Sequence, residues 1–277
     1  MIFRPDAARV SQHGMYRLAF SPGSTFSGEA QGRRAGASVE FLDHRRYVPG
    51  DDPRWLDWRA YARTDQLLVK RYREEVRPLT EVWIDGSASM AVCPRKAQFA
   101  LDLGVMLGRA ARAQGHMARI SVLGGRRWKP EDPVELEYGC VRPLAGVVGE
   151  QARQLSPGSL AILVSDFLSP HDAGRLVASI TARASRPALV QVLSGDDAAP
   201  AFGGRLELED PETGRIAEVE IDGSARSAYL RRLAVLSGAL RKACLQAGGL
   251  MAELRADRDF HAQCGGELVR AGLLGRK

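Results

Sequence analysis

Residues 81–90 read EVWIDGSASM, and residues 160–166 read LAILVSD. Each is a short strand-like run that stops on an aspartate beside serine hydroxyls. Leu160 to Val164 is apolar throughout, as expected of a strand buried on both faces. Between the two runs, Pro94 to Gln114 places Phe99, Leu103, Met106, Leu107 and Ala110 on one face at helical spacing, with Gly115 as its stop. Ala118 to Leu123 reads as a further strand, closed by Gly124-Gly125. Strand, helix and strand in this order predict a mostly parallel sheet with right-handed crossovers.

The same alternation continues downstream. Ser169-Pro170-His171-Asp172 predicts a helix start with Ser169 as its N-cap and Leu176, Val177 and Ile180 facing inward. Ala188 to Leu193 is a strand. Arg205 to Leu208 and Ile216 to Ile221 flank the turn-rich DPETG and predict a hairpin near 205–221. Ala225 to Ala247 is the longest helix, stopped by Gly248-Gly249. Leu250 to Leu254 reads as a last strand, followed by a short helix around Phe260 to Ala271. Residues 126–158 are open between loop and edge strand, apart from a helix over Leu144 to Leu155.

Upstream, residues 1–36 read as a flexible segment rich in Gly and Ser, with a short element at Met15 to Phe20. Residues 37–80 form an extension packed on the core. Pro49-Gly50-Asp51-Asp52-Pro53 is a turn, and Leu67 to Tyr72 alternates as a strand. Residues 81–277 are then the main α/β domain.

The 277 residues are 45% hydrophobic and 26% charged, with a net charge of +6. That composition builds a globular core and excludes a disordered or fibrous chain. The positive balance comes from scattered arginines. No basic block or nucleic-acid reading motif is present, so no nucleic-acid partner is expected. Arg126-Arg127-Trp128-Lys129 reads as a solvated loop. No apolar run approaches the ~20 residues that cross a bilayer, and no signal peptide is visible, which predicts a cytoplasmic protein without a transmembrane segment. Cys93, Cys140, Cys244 and Cys264 are too far apart for a zinc spacing or a disulfide framework. The five histidines are scattered and carry no assigned chemistry.

Ligands of open parallel sheets bind at strand ends, at the topological switch point. Asp85, Ser87, Ser89 and Asp166 offer carboxylate and hydroxyl oxygens there, which suit a hard cation such as Mg²⁺. Asp and Ser equally cap helices, so the same residues also read as a cap. A second chemistry is a Mg²⁺-dependent phosphotransferase or hydrolase of the haloacid-dehalogenase type, with Asp85 as nucleophile. That chemistry needs a carboxylate two residues further on, where Ser87 stands.

WIDGSASM resembles the first strand and the metal-ion-dependent adhesion motif, D-x-S-x-S, of von Willebrand factor A domains. The resemblance implies a von Willebrand A-like, Rossmann-like sheet flanked by helices, with Asp85, Ser87 and Ser89 as first-strand ligands and Asp166 as the later acid. A loop threonine completes the site in that family, and no Thr lies between Thr80 and Thr181 here. A longer motif precedes it. R-x-Y-x-P-G-D-D-x-R-x-x-D-W-x-x-x-A-R-T followed by L-x-V-K, from Arg45 to Lys70, is similar to the signature of domain-of-unknown-function family 58. Tyr47, Pro49, Gly50, Asp51, Asp52, Arg54, Asp57, Trp58 and Arg63 match it. Gly36 and Ser38 stand before Glu40-Phe41, where that family often has Gly-x-Gly.

This resemblance implies a non-enzymatic interaction or adaptor module with Mg²⁺ at the adhesion site. It also implies a MoxR-type AAA ATPase as partner, in chaperone-like maturation of other proteins. The residues themselves read Asp51, Asp52, Arg54, Asp57 and Arg63 as a structural ion-pair network. They read Trp55 and Trp58 as core or packing aromatics.

Overall fold

The computed structural model describes residues 2–20, 39–74, 79–140, 142–183 and 186–277. Two compact units divide the chain: Met1–Ser27 joined with Pro78–Lys277, and Gly28–Arg77.

The N-terminal stretch departs from its sequence reading. Residues 2–20 carry β1 (Ile2–Phe3), α1 (Ala7–Ser11), a 3-10 turn (Gln12–Met15) and β2 (Tyr16–Leu18). Phe3, Val10, Tyr16 and Leu18 are buried in the main core. The expectation of a flexible segment is therefore corrected for residues 2–20, while residues 21–36 lie outside the described residues. The reason is long-range. Asp102, wholly buried, accepts the Asp6 N–H at 2.8 Å and the Arg9 guanidinium at 3.0 Å. Local composition carries no sign of such a partner 90 residues away.

The smaller unit is a hairpin of β3 (Val39–Arg46) and β4 (Leu68–Glu74), with α2 (Trp58–Thr64) between its strands in sequence. Arg46 lies opposite Leu68, and His44 opposite Lys70. The predicted turn is present. Gly50 holds a φ of 110°, which favours glycine, and Asp52 caps the 3-10 turn Pro53–Trp55. Asp57 caps α2 by accepting the N–H groups of Arg59 and Ala60. Trp55 and Trp58 are 45% and 60% exposed, so they are surface aromatics and not core. Trp58 meets Tyr61 edge to face on the same helix.

The larger unit continues with β5 (Leu79–Ile84), α3 (Ala88–Ala91), α4 (Pro94–Ala113), β6 (Met117–Val122), β7 (Arg127–Trp128), β8 (Leu136–Glu137) and α5 (Leu144–Ala152). Then follow β9 (Leu160–Ser165), α6 (Ala173–Thr181), β10 (Arg186–Leu193), α7 (Gly195–Ala198), the hairpin β11 (Gly204–Glu209) and β12 (Ile216–Ile221), and α8 (Gly223–Gln246). The chain ends with β13 (Leu250–Arg255), α9 (Phe260–Gln263) and β14 (Leu274–Arg276).

The central sheet has the order β13-β10-β9-β5-β6-β7. Its first five strands are parallel, and only the edge strand β7 is antiparallel. Successive side chains of a strand point to opposite faces. Val82, Ile84, Ile162, Val164, Val190 and Val192 enter one core with α4 and the N-terminal stretch. Trp83, Leu163, Leu189 and Met251 enter a second core with Val148, Leu176, Ile180 and Leu240 of α5, α6 and α8. Burial on this scale contributes roughly 1.5–3 kcal/mol for each large apolar side chain. Gly104 and Gly108 let α4 lie directly on the sheet, since a Cβ there would stand 2.6 Å from Ile84 and 2.8 Å from Ile120.

Two ends differ from the sequence reading. α6 begins at Ala173, because Asp172 and not Ser169 accepts the Arg175 N–H as its N-cap. At the C-terminus, α9 widens into a π turn over Cys264–Leu268. β14 then pairs antiparallel with β2, a pairing between chain ends that no local pattern signals.

From β5 the chain moves to β6 on one side and then crosses to β9 on the other. The crevice outside the ends of β5 and β9 is thus the switch point, where loops run in opposite directions and leave room for a ligand.

Candidate functional site at the strand ends

Asp85 follows directly on β5 and extends its ladder, donating its N–H to Val164 O at 2.9 Å. Its side chain points into the switch point and is nearly buried. Oδ2 accepts from Ser165 Oγ at 2.6 Å, and Oδ1 accepts the Ser87 N–H at 3.0 Å. Burial pushes this carboxyl above the ordinary carboxylate range, and the Asp166 charge adds to the rise. The Ser165 and Ser87 bonds only partly offset it.

Ser87 and Ser89 share a hydrogen bond between their hydroxyls at 2.9 Å. The turn that presents them is clamped from the loop after β8, since Gly139 and Cys140 both donate N–H groups to Gly86 O at 2.9 Å. A Cβ on Gly86 would stand 2.4 Å from Val122 Cγ1, so the turn closes only with glycine.

Asp166 follows β9 and is also buried. Oδ1 accepts the Leu168 N–H at 3.0 Å, and its backbone carbonyl accepts from Gln191 Nε2 at 2.9 Å. Oδ2 accepts from Lys96 Nζ at 2.7 Å. Lys96 is 2% exposed and also donates to Asp197 Oδ2 at 3.0 Å. Asp197 in turn belongs to a capping box with Ser194 at the start of α7, and its carbonyl accepts the Tyr229 hydroxyl. Burial alone would lower the Lys96 pKa. The charges of Asp166 and Asp197 override it and hold the ammonium above its ordinary value. Burial likewise opposes ionisation of Asp197, and Lys96 reverses that, so its carboxyl lies below the ordinary range.

Of the four sequence-predicted ligands, Asp85, Ser87 and Ser89 share one hydrogen-bonded turn after β5, while Asp166, after the neighbouring β9, directs its carboxylate to Lys96 and the Leu168 N–H. They do not form a donor set that fits Mg²⁺. Each Asp85 oxygen already accepts a bond within the fold, and Asp166 faces a buried ammonium. A divalent ion held by Asp166 would be repelled by that ammonium. Among the described residues, no three His, Cys, Asp or Glu side chains converge as a metal-holding group. The dehalogenase-type chemistry finds no support either, since Ser87 stands where its second carboxylate is needed.

Sequence reasoning missed Lys96 and Asp197. A trace of the first was available: a lysine in the opening turn of a helix opposes the helix dipole and so needs a reason to be there.

The signature residues form their own ion pairs inside the smaller unit. Both Arg45 Nη atoms donate to Asp51 at 2.6 Å, and together with the Val48 N–H they hold the Asp51 carboxyl at about 2. Arg54 pairs with Asp52 at 2.6 Å. His44 Nε2 donates to Asp57 at 2.9 Å, with Lys70 at 3.6 Å. The His44 bond leads in holding that carboxyl at about 2. Arg63 donates instead to the Arg59 carbonyl at 3.2 Å.

Known proteins place the chain as follows. A family model described as Protein of unknown function DUF58 matches residues 43–130, from the signature through the Asp85 turn to the end of β7. The Mycobacterium tuberculosis (strain H37Rv) protein named Uncharacterized protein Rv1480 is 27% identical over 259 residues, covering 85% of this chain and 80% of the relative. Uncharacterized protein MAV169 of Mycobacterium avium is 31% identical over 133 residues, 48% of this chain and 76% of the relative. Among solved structures, an aerotolerance-related membrane protein from Bacteroides fragilis NCTC 9343 aligns at 11% identity and a TM-score of 0.37, over 70% of this chain and 98% of the other. The conserved hypothetical protein BatB from Bacteroides thetaiotaomicron aligns at the same identity and TM-score, over 68% and 94%. No helix among the described residues is long and apolar enough to cross a membrane. By its signature, its family match and its mycobacterial relative, the chain belongs to the DUF58 family of proteins of unknown function.

Proposed function

We propose that this chain is a non-enzymatic interaction module of von Willebrand A-like type. It recognises a protein partner at the strand ends around Asp85, Ser87 and Ser89. One observation carries the reading: the oxygens there are already committed within the fold. Asp85 is held by Ser165 and the Ser87 N–H, and the Ser87 and Ser89 hydroxyls bond each other. The one hydroxyl bonded to a carboxylate, Ser165 Oγ, is buried and also accepts the Phe167 N–H, so it is tied into the fold. A rigid lip with a fixed shape suits recognition. Val92, 68% exposed just after α3, gives it an apolar contact, and a cleft of about 410 Å³ beside Gly86, lined by Val122, Gly124, Glu137 and Tyr138, offers mixed polar and apolar surface.

The resemblance of Arg45 to Lys70 to family 58 supports a MoxR-type AAA ATPase as the partner, in cytoplasmic, chaperone-like maturation of other proteins. Biolayer interferometry between this chain and a purified MoxR-type ATPase tests it. Saturable binding is expected, weakened by about tenfold or more in Val92→Asp at an unchanged unfolding midpoint. Absence of binding refutes the partner. Phosphate-ester turnover that depends on Asp85 refutes the non-enzymatic reading.

A further inference from the structure

We infer that the Lys96 ammonium is a built-in cation. It does at this strand-end site the work of a divalent metal, and it makes the site independent of metal. Four observations carry this. Lys96 reaches the switch point from a different element than the strand-end residues, and its side chain is 3% exposed. It bridges the Asp166 carboxylate directly after β9 and the Asp197 carboxylate of α7, the short helix that follows β10, at 2.7 and 3.0 Å. Those are the lengths of charge-assisted hydrogen bonds. Its place in the first turn of α4 is unfavourable for a cation, since the helix dipole is positive there. For Lys96 the two carboxylates offset that cost.

The geometry is also what a structural cation would impose. Asp166 is fixed by Lys96 on Oδ2 and by the Leu168 N–H on Oδ1. Asp197 is fixed by Lys96 and by the Ser194 N–H, so the loops after β9 and β10 are tied to α4 through one nitrogen. A lysine does this without an external ion, at every metal concentration. The inference rests on the Lys96 contacts and not on the adaptor reading, so either can fail alone.

Two measurements test it. The first titrates Mn²⁺, followed by electron paramagnetic resonance, into the full chain and into Asp85→Asn. No saturable binding is expected with a Kd below about 1 mM. Binding in the wild type that Asp85→Asn abolishes would overturn the inference. Binding that survives Asp85→Asn places the ion elsewhere and counts for it. The second measurement uses Lys96→Met. Its thermal midpoint should fall by about 10 °C without metal and recover when Mn²⁺ or Mg²⁺ enters the vacated position, with saturable Mn²⁺ binding that the wild type lacks. A folded Lys96→Met chain with no Mn²⁺ binding and no recovery would also overturn it. If Lys96→Met does not fold, Lys96→Gln, which keeps hydrogen-bond donors and loses the charge, takes its place. The wild-type titration decides independently of both.

Discussion

Two regions of this molecule pair aspartates with basic side chains, and they do so in opposite surroundings. At the strand ends, Lys96 and Asp166 have side chains 3% and 2% exposed. In the Arg45–Lys70 hairpin unit, Arg54 and Asp52 are 82% and 35% exposed, and Arg45 and Asp51 are 39% and 20% exposed. Water screens the second set and lends each charge a substitute partner. It cannot reach the first set, so each buried charge depends on its mate. The same residue types therefore carry different weight. At the strand ends they hold loops in place; in the hairpin unit they shape turns and cap a helix.

Substitutions separate the two regions. Lys96→Met should have the largest effect, a loss of about 3–5 kcal/mol in urea unfolding, because it strands the buried Asp166 carboxylate and takes the cation from the partly exposed Asp197. An effect comparable to that of a surface substitution would erase the contrast. Ser165→Ala comes next. It removes the hydroxyl that donates to Asp85 Oδ2 and accepts the Phe167 N–H, and should cost roughly 1–3 kcal/mol in the same assay. Asp57→Ala should leave the global midpoint nearly unchanged while amide exchange at Arg59 and Ala60 accelerates, since those N–H groups lose their cap. Arg54→Ala is the smallest, with no measurable shift in midpoint.

Acid sharpens the contrast further. Asp51 and Asp57 titrate at about 2 in the fold, against an ordinary value of 3.8. Their contribution is present above about pH 4 and is lost as pH falls through about 2. Asp85 and Asp102 are raised by burial, so the folded chain holds their protons more tightly than the unfolded one. Their contribution is present below about pH 4 and is lost as pH rises through their folded values. Residue-resolved hydrogen exchange between pH 5 and pH 2 should therefore show α2 losing protection while the Asp85 turn holds. Loss in both regions at one pH would break the comparison. At the alkaline end, the Lys96 contribution persists past the ordinary lysine range and fades only above it.

The thiols follow burial in the same way. Cys244 and Cys264 are pushed up to about 12 by it, which keeps them protonated and inert.

Much of this was legible in the chain itself, because the signals are local. The alternation of strand and helix, the apolar run at Leu160 to Val164, the stop at Gly115 and the hairpin around DPETG depend on neighbours a few residues apart. So does the Asp85-Gly-Ser-Ala-Ser turn, where two or three residues on one strand end place their own side chains together. Asp166 was legible for the same reason, as the last residue of a strand-like run.

What the tertiary structure alone decided lies between residues far apart in sequence. Lys96 meets Asp166 across 70 positions and Asp197 across 101. Asp102 gathers Asp6 and Arg9, and β14 closes on β2 from the opposite end of the chain. A carboxylate at a strand end reads from sequence as a ligand awaiting a cation. Packing decides which cation it meets, because only the docking of α4 on the sheet, permitted by Gly104 and Gly108, brings the Lys96 nitrogen within reach.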